Sequence, residues 1–277
     1  MLKDDKITIT DILNRKKDKK HISAITAYDN PSAKIASDAG IDIILVGDSL
    51  GMVIQGEKNT LKVEIEDMIY HTSMVSKAEP LPLIVTDMPY MSYHLSVEKS
   101  VENAIKIVKY GGAEAVKIEG KRIDVIKSII DAEIPVMGHL GLTPQSVNIM
   151  GGFKVQGKLK KKAEEIYKNA LELEKVGVFS IVLESIPEEL AKIITQDLKI
   201  PTIGIGAGKY CDGQILVFHD LLGFTNSKLP KFVRKYADLY DISVNAIKNY
   251  IKDINNKKFP DNEETYHAKE NLKGLKK

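Results

Sequence analysis

The stretch Ile43-Ile-Leu-Val-Gly-Asp-Ser49 passes from four apolar residues into a glycine, a carboxylate and a hydroxyl. Three more apolar runs end in an acid in the same way, at Asp87, Glu119 and Glu184. A carboxylate at the end of a buried strand is costly unless a cation or a hydrogen-bond network uses it. Four such ends predict a shared acidic site on one rim of a parallel sheet, and oxygen ligands suit a hard divalent metal.

Short apolar runs recur along the whole chain. They are rich in Val and Ile and do not alternate strictly with polar residues, which is typical of parallel strands buried on both faces. The predicted strands are Ile22–Ala27, Ile43–Gly47, Leu83–Thr86, Ala115–Ile118, Pro135–Gly138, Ser180–Leu183, Thr202–Gly206 and Gln214–Phe218.

Helical patterns separate these strands. The predicted helices are Pro31–Ala39, Glu64–Ala78, Ser96–Tyr110, Arg122–Ala132, Lys160–Val176 and Glu188–Leu198. Repeated strand–helix alternation predicts the α/β class and a (β/α)8 TIM barrel. A doubly wound open sheet is the alternative, but it usually carries a glycine-rich turn after its first strand, and Thr26-Ala-Tyr-Asp-Asn30 has none.

Two segments lie outside the repeat. Thr8–Asp18 predicts a short helix that caps the bottom of the barrel, and Lys231–Lys252 predicts a long amphipathic helical extension. We therefore expect a single barrel domain over residues 1–277, with an N-terminal cap at 1–20 and a polar tail at 255–277.

The charge balance argues against polyanionic partners. The 277 residues include 40 Lys and Arg and 38 Asp and Glu, which gives a net charge of +2 and no electrostatic case for nucleic acid or an anionic membrane. No apolar run approaches the roughly 20 residues of a membrane-spanning helix, and no signal peptide precedes the first strand. The single cysteine, Cys211, fits a reducing compartment. We expect a cytoplasmic protein that acts on small molecules.

The active site of such a barrel lies at the carboxyl ends of its strands. Lys117 and Glu119 are two residues apart on one strand and point to the same face. Nearby carboxylates would keep Lys117 protonated, so that it could hold an anionic substrate group while the acids hold a metal. The alternative, that the acids are loop residues or helix N-caps, is weaker for Asp48, Asp87 and Glu119, which directly follow apolar strands.

Other candidates remain open or favour a structural role. Asp29 and Asp220 fit a site or a helix cap equally well. His139 ends the fifth predicted strand, where it could bind a substrate oxyanion or be structural. Gly204-Ile-Gly-Ala-Gly-Lys209 lacks the spacing of a phosphate-binding loop, which favours a close-packed turn.

Several longer motifs resemble the ketopantoate hydroxymethyltransferase family, in the family's order and from about Ile22 to Pro230. They are Val46–Met52, Val116–Gly120, Gly138–Asn148, Gly151–Gly157, Val182–Glu184, Ile203–Gly208 and Asp212–Val217. The resemblance implies a Mg²⁺-dependent enzyme of the phosphoenolpyruvate/pyruvate barrel superfamily that acts in pantothenate synthesis. The sequence departs from the family pattern at Lys62, where proline is common, and at Ser185, where cysteine is frequent.

The resemblance also implies roles for individual residues. Asp48 and Asp87 match metal-binding aspartates that also meet the substrate, and Glu119 matches a metal-site glutamate. Ser49 and Lys117 match positions that hold the 2-oxo acid. Glu184 matches the proton acceptor. His139 is a candidate for a supporting role on its position at the end of the fifth predicted strand, and not through the resemblance.

The reaction implied is transfer of a hydroxymethyl group from 5,10-methylenetetrahydrofolate to 3-methyl-2-oxobutanoate through an enolate, giving 2-dehydropantoate and tetrahydrofolate. The family further implies a homo-oligomer, a decamer. One alternative is a Mg²⁺-dependent lyase or mutase acting on another 2-oxo acid, which would commonly carry a Lys-Lys-Cys-Gly loop that is absent here. The other is a non-enzymatic metal or metabolite binder, for which the spare acid Glu184 would have no use.

Overall fold

Eight parallel strands close into a barrel in chain order, within residues 5–226 and 228–269 that the computed structural model describes. The last strand pairs with the first and completes the closure. The strands are β1 (Ile22–Thr26), β2 (Ile43–Val46), β3 (Leu83–Asp87), β4 (Ala115–Glu119), β5 (Val136–Gly141), β6 (Ser180–Glu184), β7 (Thr202–Ile205) and β8 (Gly213–Leu216). The predicted (β/α)8 barrel is confirmed, and the open sheet is excluded.

Helices alternate with the strands, as predicted. They are α1 (Ile9–Lys17), α2 (Asn30–Asp38), α3 (Leu50–Val53), α4 (Ile65–Ser76), α5 (Val97–Lys106), α6 (Ile123–Asp131), α7 (Val147–Met150), α8 (Lys160–Val176), α9 (Glu188–Asp197), α10 (Phe218–Leu222) and α11 (Leu239–Asn255). A π-helical turn at Ile107–Gly111 continues α5, and a 3₁₀ turn at Pro144–Ser146 precedes α7.

Some predicted boundaries were wrong, and β5, for instance, ends at Gly141 and not at Gly138. The eighth strand ends at Leu216, because Phe218 begins α10 and its N–H donates to Thr26 Oγ1 at 3.0 Å. The C-terminal helix begins at Leu239 and not at Lys231. The N–H of Tyr236 donates to the carbonyl of Leu221 instead of joining a helical ladder, so the segment before α11 forms turns.

The predicted N-terminal cap is confirmed as α1. Thr8 caps this helix through a reciprocal pair of hydrogen bonds with Asp11. Lys16 pairs at 2.8 Å with Asp212, which directly precedes β8, so the helix lies at the amino end of the barrel. Ile12 of α1 is fully buried in the cluster that fills the barrel interior, which it shares with Ile43 and other strand residues.

The contacts divide the described chain into two compact units. The barrel unit contains residues 5–218 and 229–233, and the second unit contains 219–226, 228 and 234–269. Helix α11 of the second unit has no buried residue, and residues 256–269 after it are exposed. The single-domain organisation stays a prediction, and the end of the predicted polar tail, 270–277, lies outside the described residues.

Candidate active site

The predicted acids lie together at the carboxyl rim of the barrel. Asp87, Glu119 and Glu184 are the last residues of β3, β4 and β6, and Asp48 follows β2 by two residues. The strand register sets Asp87 beside Lys117. In the next pair of strands it sets Glu119 beside His139. Adjacent parallel strands therefore deliver these side chains to one rim.

The Asp48–Ser49 turn is held against the end of β3. The N–H of Asp48 donates to Asp87 Oδ2 at 3.0 Å. A Cβ at Gly47 would lie 2.7 Å from Ser49 Oγ and 3.5 Å from Asp87 Oδ2, so only glycine allows this approach. The Ser49 hydroxyl also lies 2.9 Å from the hydroxyl of Tyr28, which orients it.

Asp87 and Lys117 form a buried ion pair. Lys117 Nζ lies 2.8 Å from Asp87 Oδ1, and both side chains are 5% exposed. The angles at this contact fall outside hydrogen-bond geometry, so Asp87 Oδ1 accepts no hydrogen bond from the described residues. Burial lowers the pKa of Lys117, but the charges of Asp87, Glu119 and Asp48 outweigh it and hold that pKa above its ordinary value. Lys117 is therefore a permanent cation, as predicted.

The cluster has an excess of negative charge. Burial raises the pKa of Asp48 well above its ordinary value, and the nearby charges of Asp87 and Glu119 raise it further. Three buried carboxylates face one buried ammonium, so a further cation is needed to keep all three ionised. This set of buried carboxylate oxygens fits a hard divalent metal.

The described residues do not form a complete protein cage for such an ion. Within 5–226 and 228–269, no three His, Cys, Asp or Glu side chains are placed to hold one ion together. Glu119 is engaged elsewhere, since its Oε2 accepts from the N–H of Gln145 at 3.0 Å. The shared three-carboxylate site therefore stays a prediction, whereas Asp48 and Asp87 are directly adjacent.

His139 connects the acid at the end of β4 to the acid at the end of β6. Its Nδ1 lies 3.2 Å from Lys117 Nζ and 3.6 Å from Glu119 Oε1, and its Nε2 lies 3.2 Å from Glu184 Oε2. Burial and the Lys117 charge lower the pKa of His139, but the contacts with Glu119 and Glu184 prevail and raise it to about 8. His139 thus belongs to the site, and its supporting role stays a prediction.

Glu184 is set apart from the other acids. Its side chain is 15% exposed, compared with 5% or less for Asp87 and Glu119, and it meets the cluster through His139. Its main chain is also held closely, because the N–H of Leu142 donates to the Glu184 carbonyl at 2.8 Å. A Cβ at Gly141, whose φ is +97°, would lie 2.2 Å from that carbonyl oxygen.

Sequence reasoning gave no role to Gln145 or Tyr93. Gln145 lies in the 3₁₀ turn after β5 and is 6% exposed. Its Nε2 donates to Asp48 Oδ2 at 2.8 Å, and its Oε1 accepts from the hydroxyl of Tyr93 at 2.6 Å. The available signal was the position of Gln145 inside the long motif Gly138–Asn148, but its partners are far away in sequence.

The remaining candidates have structural surroundings. Asp29 is the N-cap of α2 and accepts from the N–H of Ser32 at 2.8 Å. Asp220 lies in the second unit, where burial raises its pKa. A Cβ at Gly208 would lie 2.2 Å from Glu188 Cβ, which agrees with a close-packed turn after β7. Cys211 is buried, and burial raises the pKa of its thiol.

A cavity of about 180 Å³ lies beside the acidic cluster. Loop residues after β4 and β5 line one side of it, among them Gly120 and Thr143, and α8 lines the other through Ile166 and Asn169. None of the clustered acids lines it. No helix in the described part of the chain is long and apolar enough to cross a bilayer.

A closed parallel barrel with acids and a buried lysine at its carboxyl rim defines a (β/α)8-barrel enzyme. Solved structures share this fold at low identity. One is 2,3-dimethylmalate lyase, a PEP mutase/isocitrate lyase superfamily member, with a TM-score of 0.57, 16% identity and coverage of 93% of this chain and 91% of that chain. Another is phosphonopyruvate hydrolase in complex with oxalate and Mg²⁺, with a TM-score of 0.59, 12% identity and coverage of 91% and 88%.

The sequence comparisons are more specific. Residues 6–262 match the sequence profile of ketopantoate hydroxymethyltransferase. The chain is 52% identical over 265 residues to the 3-methyl-2-oxobutanoate hydroxymethyltransferase of Thermoanaerobacter pseudethanolicus, covering 95% of this chain and 97% of that protein. It is 51% identical over 267 residues to the protein of the same name from Clostridioides difficile, covering 96% and 97%. The chain belongs to the ketopantoate hydroxymethyltransferase family and is an enzyme.

Proposed function

We propose that this enzyme transfers a hydroxymethyl group from 5,10-methylenetetrahydrofolate to 3-methyl-2-oxobutanoate, giving 2-dehydropantoate and tetrahydrofolate for pantothenate synthesis. The observation that carries the proposal is that the site has two separate parts. Asp48, Asp87 and Lys117 form a buried charged cluster, and Glu184 is a separate, more exposed acid. Relatives about half identical over nearly the whole chain bear the name of this activity.

The proposed metal is Mg²⁺, held by Asp48 and Asp87 with Glu119 as the third acidic group. Mg²⁺ in proteins commonly uses one or two carboxylates and completes its coordination with substrate and water oxygens, so a full protein cage is not required. The buried excess of carboxylates supports this assignment. When bound, the ion supplies a Lewis acid that polarises the keto oxygen of the substrate.

The 2-oxo acid is proposed to bind against Ser49 and Lys117, beside Asp48 and Asp87. The Ser49 hydroxyl, oriented by Tyr28, donates to a substrate oxygen. The Lys117 ammonium is fixed by its ion pair with Asp87 and stabilises the negative charge that develops on the keto oxygen as the enolate forms. Since Lys117 is already buried and paired, little reorganisation is needed during the reaction.

Glu184 is proposed to take the proton from C3 of the substrate. A carboxylate is a weak base for a C–H bond, so the charge stabilisation from Lys117 has to acidify that carbon. His139 Nε2 lies 3.2 Å from Glu184 Oε2, in a charge contact without hydrogen-bond geometry. Water adds to the methylene carbon of the folate and both C–N bonds of that carbon break, which gives tetrahydrofolate and a one-carbon unit at the formaldehyde oxidation level. The enolate carbon then bonds to this unit, and its oxygen, which comes from water, takes the proton from Glu184 to become the new hydroxyl group.

The test is exchange of the C3 proton in deuterated water, followed by turnover with the folate. The wild-type enzyme should exchange the proton of 3-methyl-2-oxobutanoate when Mg²⁺ is present and should not do so with a chelator. Adding 5,10-methylenetetrahydrofolate should then yield 2-dehydropantoate. Exchange without folate-dependent product would favour a lyase or mutase acting on another 2-oxo acid, and binding without exchange would favour a non-enzymatic binder.

We also propose a homo-oligomeric enzyme, a decamer by family resemblance, that works in the cytoplasm. Helix α11 has no buried residue and exposes Ile247, Tyr250, Ile251 and Ile254, which supports a contact with another subunit. The free, buried Cys211 is compatible with a reducing compartment. Light scattering coupled to size-exclusion chromatography measures the subunit number, and a monomer at micromolar concentration would refute the assembly.

A further inference from the structure

Gln145 contacts two of the acids at the proposed metal site. Its backbone N–H donates to Glu119 Oε2 at 3.0 Å, and its side-chain Nε2 donates to Asp48 Oδ2 at 2.8 Å. Glu119 ends β4, and Asp48 follows β2. Gln145, in the turn after β5, therefore contacts acids from the ends of two other strands. The contact with Asp48 spans 97 positions of the sequence.

The orientation of the Gln145 amide is fixed by its other partners. Nε2 also donates to the carbonyl of Met88 at 3.0 Å, and Oε1 accepts from the Tyr93 hydroxyl at 2.6 Å. A carboxylate and a carbonyl can only accept, so the amide nitrogen has to face them and the amide oxygen has to face Tyr93. Both N–H groups of the amide are used, and the side chain is held in one conformation.

This arrangement anchors one oxygen of each acid. Asp48 Oδ2 and Glu119 Oε2 accept hydrogen bonds from Gln145, which leaves the second oxygen of each carboxylate outside this contact. Tyr93, which fixes the amide, is itself 2% exposed. The anchoring therefore sets which carboxylate oxygen of Asp48 is available to a ligand and keeps that carboxylate from rotating.

We infer that Gln145 is a positioning residue that orients Asp48 and Glu119 for a divalent cation, with Tyr93 locking Gln145 in place. The inference rests on the proposed function insofar as that function places a divalent cation between these acids. Partners that orient metal-binding carboxylates contribute about 10–100-fold to metal affinity or activity. A residue that merely packs the turn before α7 would change stability without selectively changing metal affinity.

The test is Mn²⁺ affinity of the full-length protein without substrates, measured from the electron paramagnetic resonance signal of free Mn²⁺. The variants are Gln145→Met, Tyr93→Phe and their combination. The matched control is Gln156→Met, another loop glutamine, whose amide donates to the main-chain carbonyl of Lys154. The melting temperature of each metal-free variant is measured in parallel.

We expect Gln145→Met to weaken Mn²⁺ binding by about 10–100-fold. Tyr93→Phe should cause a smaller loss, because the amide remains but is no longer locked. The double variant should bind no more weakly than Gln145→Met, since both changes act through one hydrogen-bond chain. Gln156→Met should bind Mn²⁺ as the wild type does.

Wild-type Mn²⁺ affinity in both Gln145→Met and Tyr93→Phe overturns the inference, whatever their melting temperatures. If Gln145→Met does not fold, Tyr93→Phe decides alone, and unchanged affinity in that variant overturns it. The outcomes separate the inference from the proposed function. A wild type that binds Mn²⁺ but never forms 2-dehydropantoate refutes only the function, and variants that keep both affinity and turnover refute only the inference.

Discussion

His139 Nε2 lies 3.2 Å from Glu184 Oε2, across the neighbouring strands β5 and β6. This contact connects the one rim acid outside the charged cluster to the cluster itself, since the other ring nitrogen of His139 faces Lys117 and Glu119. The two roles proposed for the site, charge stabilisation and proton transfer, are therefore joined through a single imidazole.

Glu184→Gln should separate binding from proton transfer. The variant keeps the shape of the side chain and leaves Asp48 and Asp87 untouched, so Mn²⁺ and 3-methyl-2-oxobutanoate should bind nearly as in the wild type. Loss of a general base should slow C3 proton exchange by about 10²–10⁴-fold. Proton nuclear magnetic resonance in deuterated water measures the exchange, with Glu189→Gln on the exposed part of α9 as the control. Wild-type exchange in Glu184→Gln would remove this residue from the base role.

The raised pKa of His139 predicts a pH-dependent contribution to stability. The folded-state pKa of about 8 lies above the ordinary value of 6.5, so the protonated imidazole stabilises the fold fully below about pH 6.5. That contribution is lost as the pH rises through about 8. The shift corresponds to about 2 kcal/mol.

The measurement is the unfolding free energy of metal-free wild type and His139→Gln. The stability advantage of the wild type should be larger at about pH 6 than at about pH 9, by up to about 2 kcal/mol. An advantage that stayed constant with pH would show that the two glutamates do not stabilise the imidazolium.

Asp48→Asn and Asp87→Asn should have opposite effects on the metal-free protein. Asp48 is repelled by its acidic neighbours, so replacing it with a neutral amide should raise the melting temperature. Asp87 pairs with the buried Lys117, and breaking a buried pair from one side costs about 3–5 kcal/mol, so Asp87→Asn should lower it.

Both substitutions should nevertheless weaken metal binding. Removing a residue that only orients a metal ligand costs at most about 100-fold in affinity, and we expect each of these substitutions to cost more than that. Calorimetric unfolding and Mn²⁺ titration of the same preparations provide the two measurements. If both variants merely lost stability and kept Mn²⁺ affinity, the acids would be structural and the proposed metal site would be wrong.

Gly141→Ala should lower the free energy of unfolding by more than the unfavourable backbone angle alone would cause. The φ of +97° is unfavourable for alanine, and the added Cβ would also press on the Glu184 carbonyl at 2.2 Å. Gly152→Ala provides the control, because Gly152 has a φ of +104° and nothing within 4 Å of a Cβ. We expect Gly152→Ala to cost about 1–3 kcal/mol and Gly141→Ala distinctly more, as measured by urea denaturation. Equal losses would show that the rim accommodates the methyl group.

The barrel could be predicted because each strand is a self-contained apolar run. Ile43–Val46 and its counterparts need no partner information to be recognised, and their order along the chain is their order around the barrel. The acids at strand ends could be predicted for the same reason. Short helices such as α3, with four residues, complete about one turn and leave no helical periodicity in the sequence.

The hydrogen-bond network of the site could not be predicted in the same way. Gln145 is a polar residue after a proline in a turn, and apart from its place inside the motif Gly138–Asn148, nothing near it in sequence distinguishes it from a solvated loop residue. Its importance depends on Tyr93, 52 positions away, and on Asp48, 97 positions away. Contacts between strand-end loops are set by the closure of the barrel, which single-sequence patterns do not encode.

Helix α1 has a consequence for the order of events during turnover. The strand side chains and Ile12 of α1 fill the barrel interior, so under the proposed function both substrates approach Lys117 from the carboxyl rim. If the folate binds above the keto acid at that rim, the keto acid, which lies against the 5%-exposed Lys117, has to bind first, and tetrahydrofolate has to leave before 2-dehydropantoate. Access from one end of a filled barrel then gives a last-in, first-out sequence.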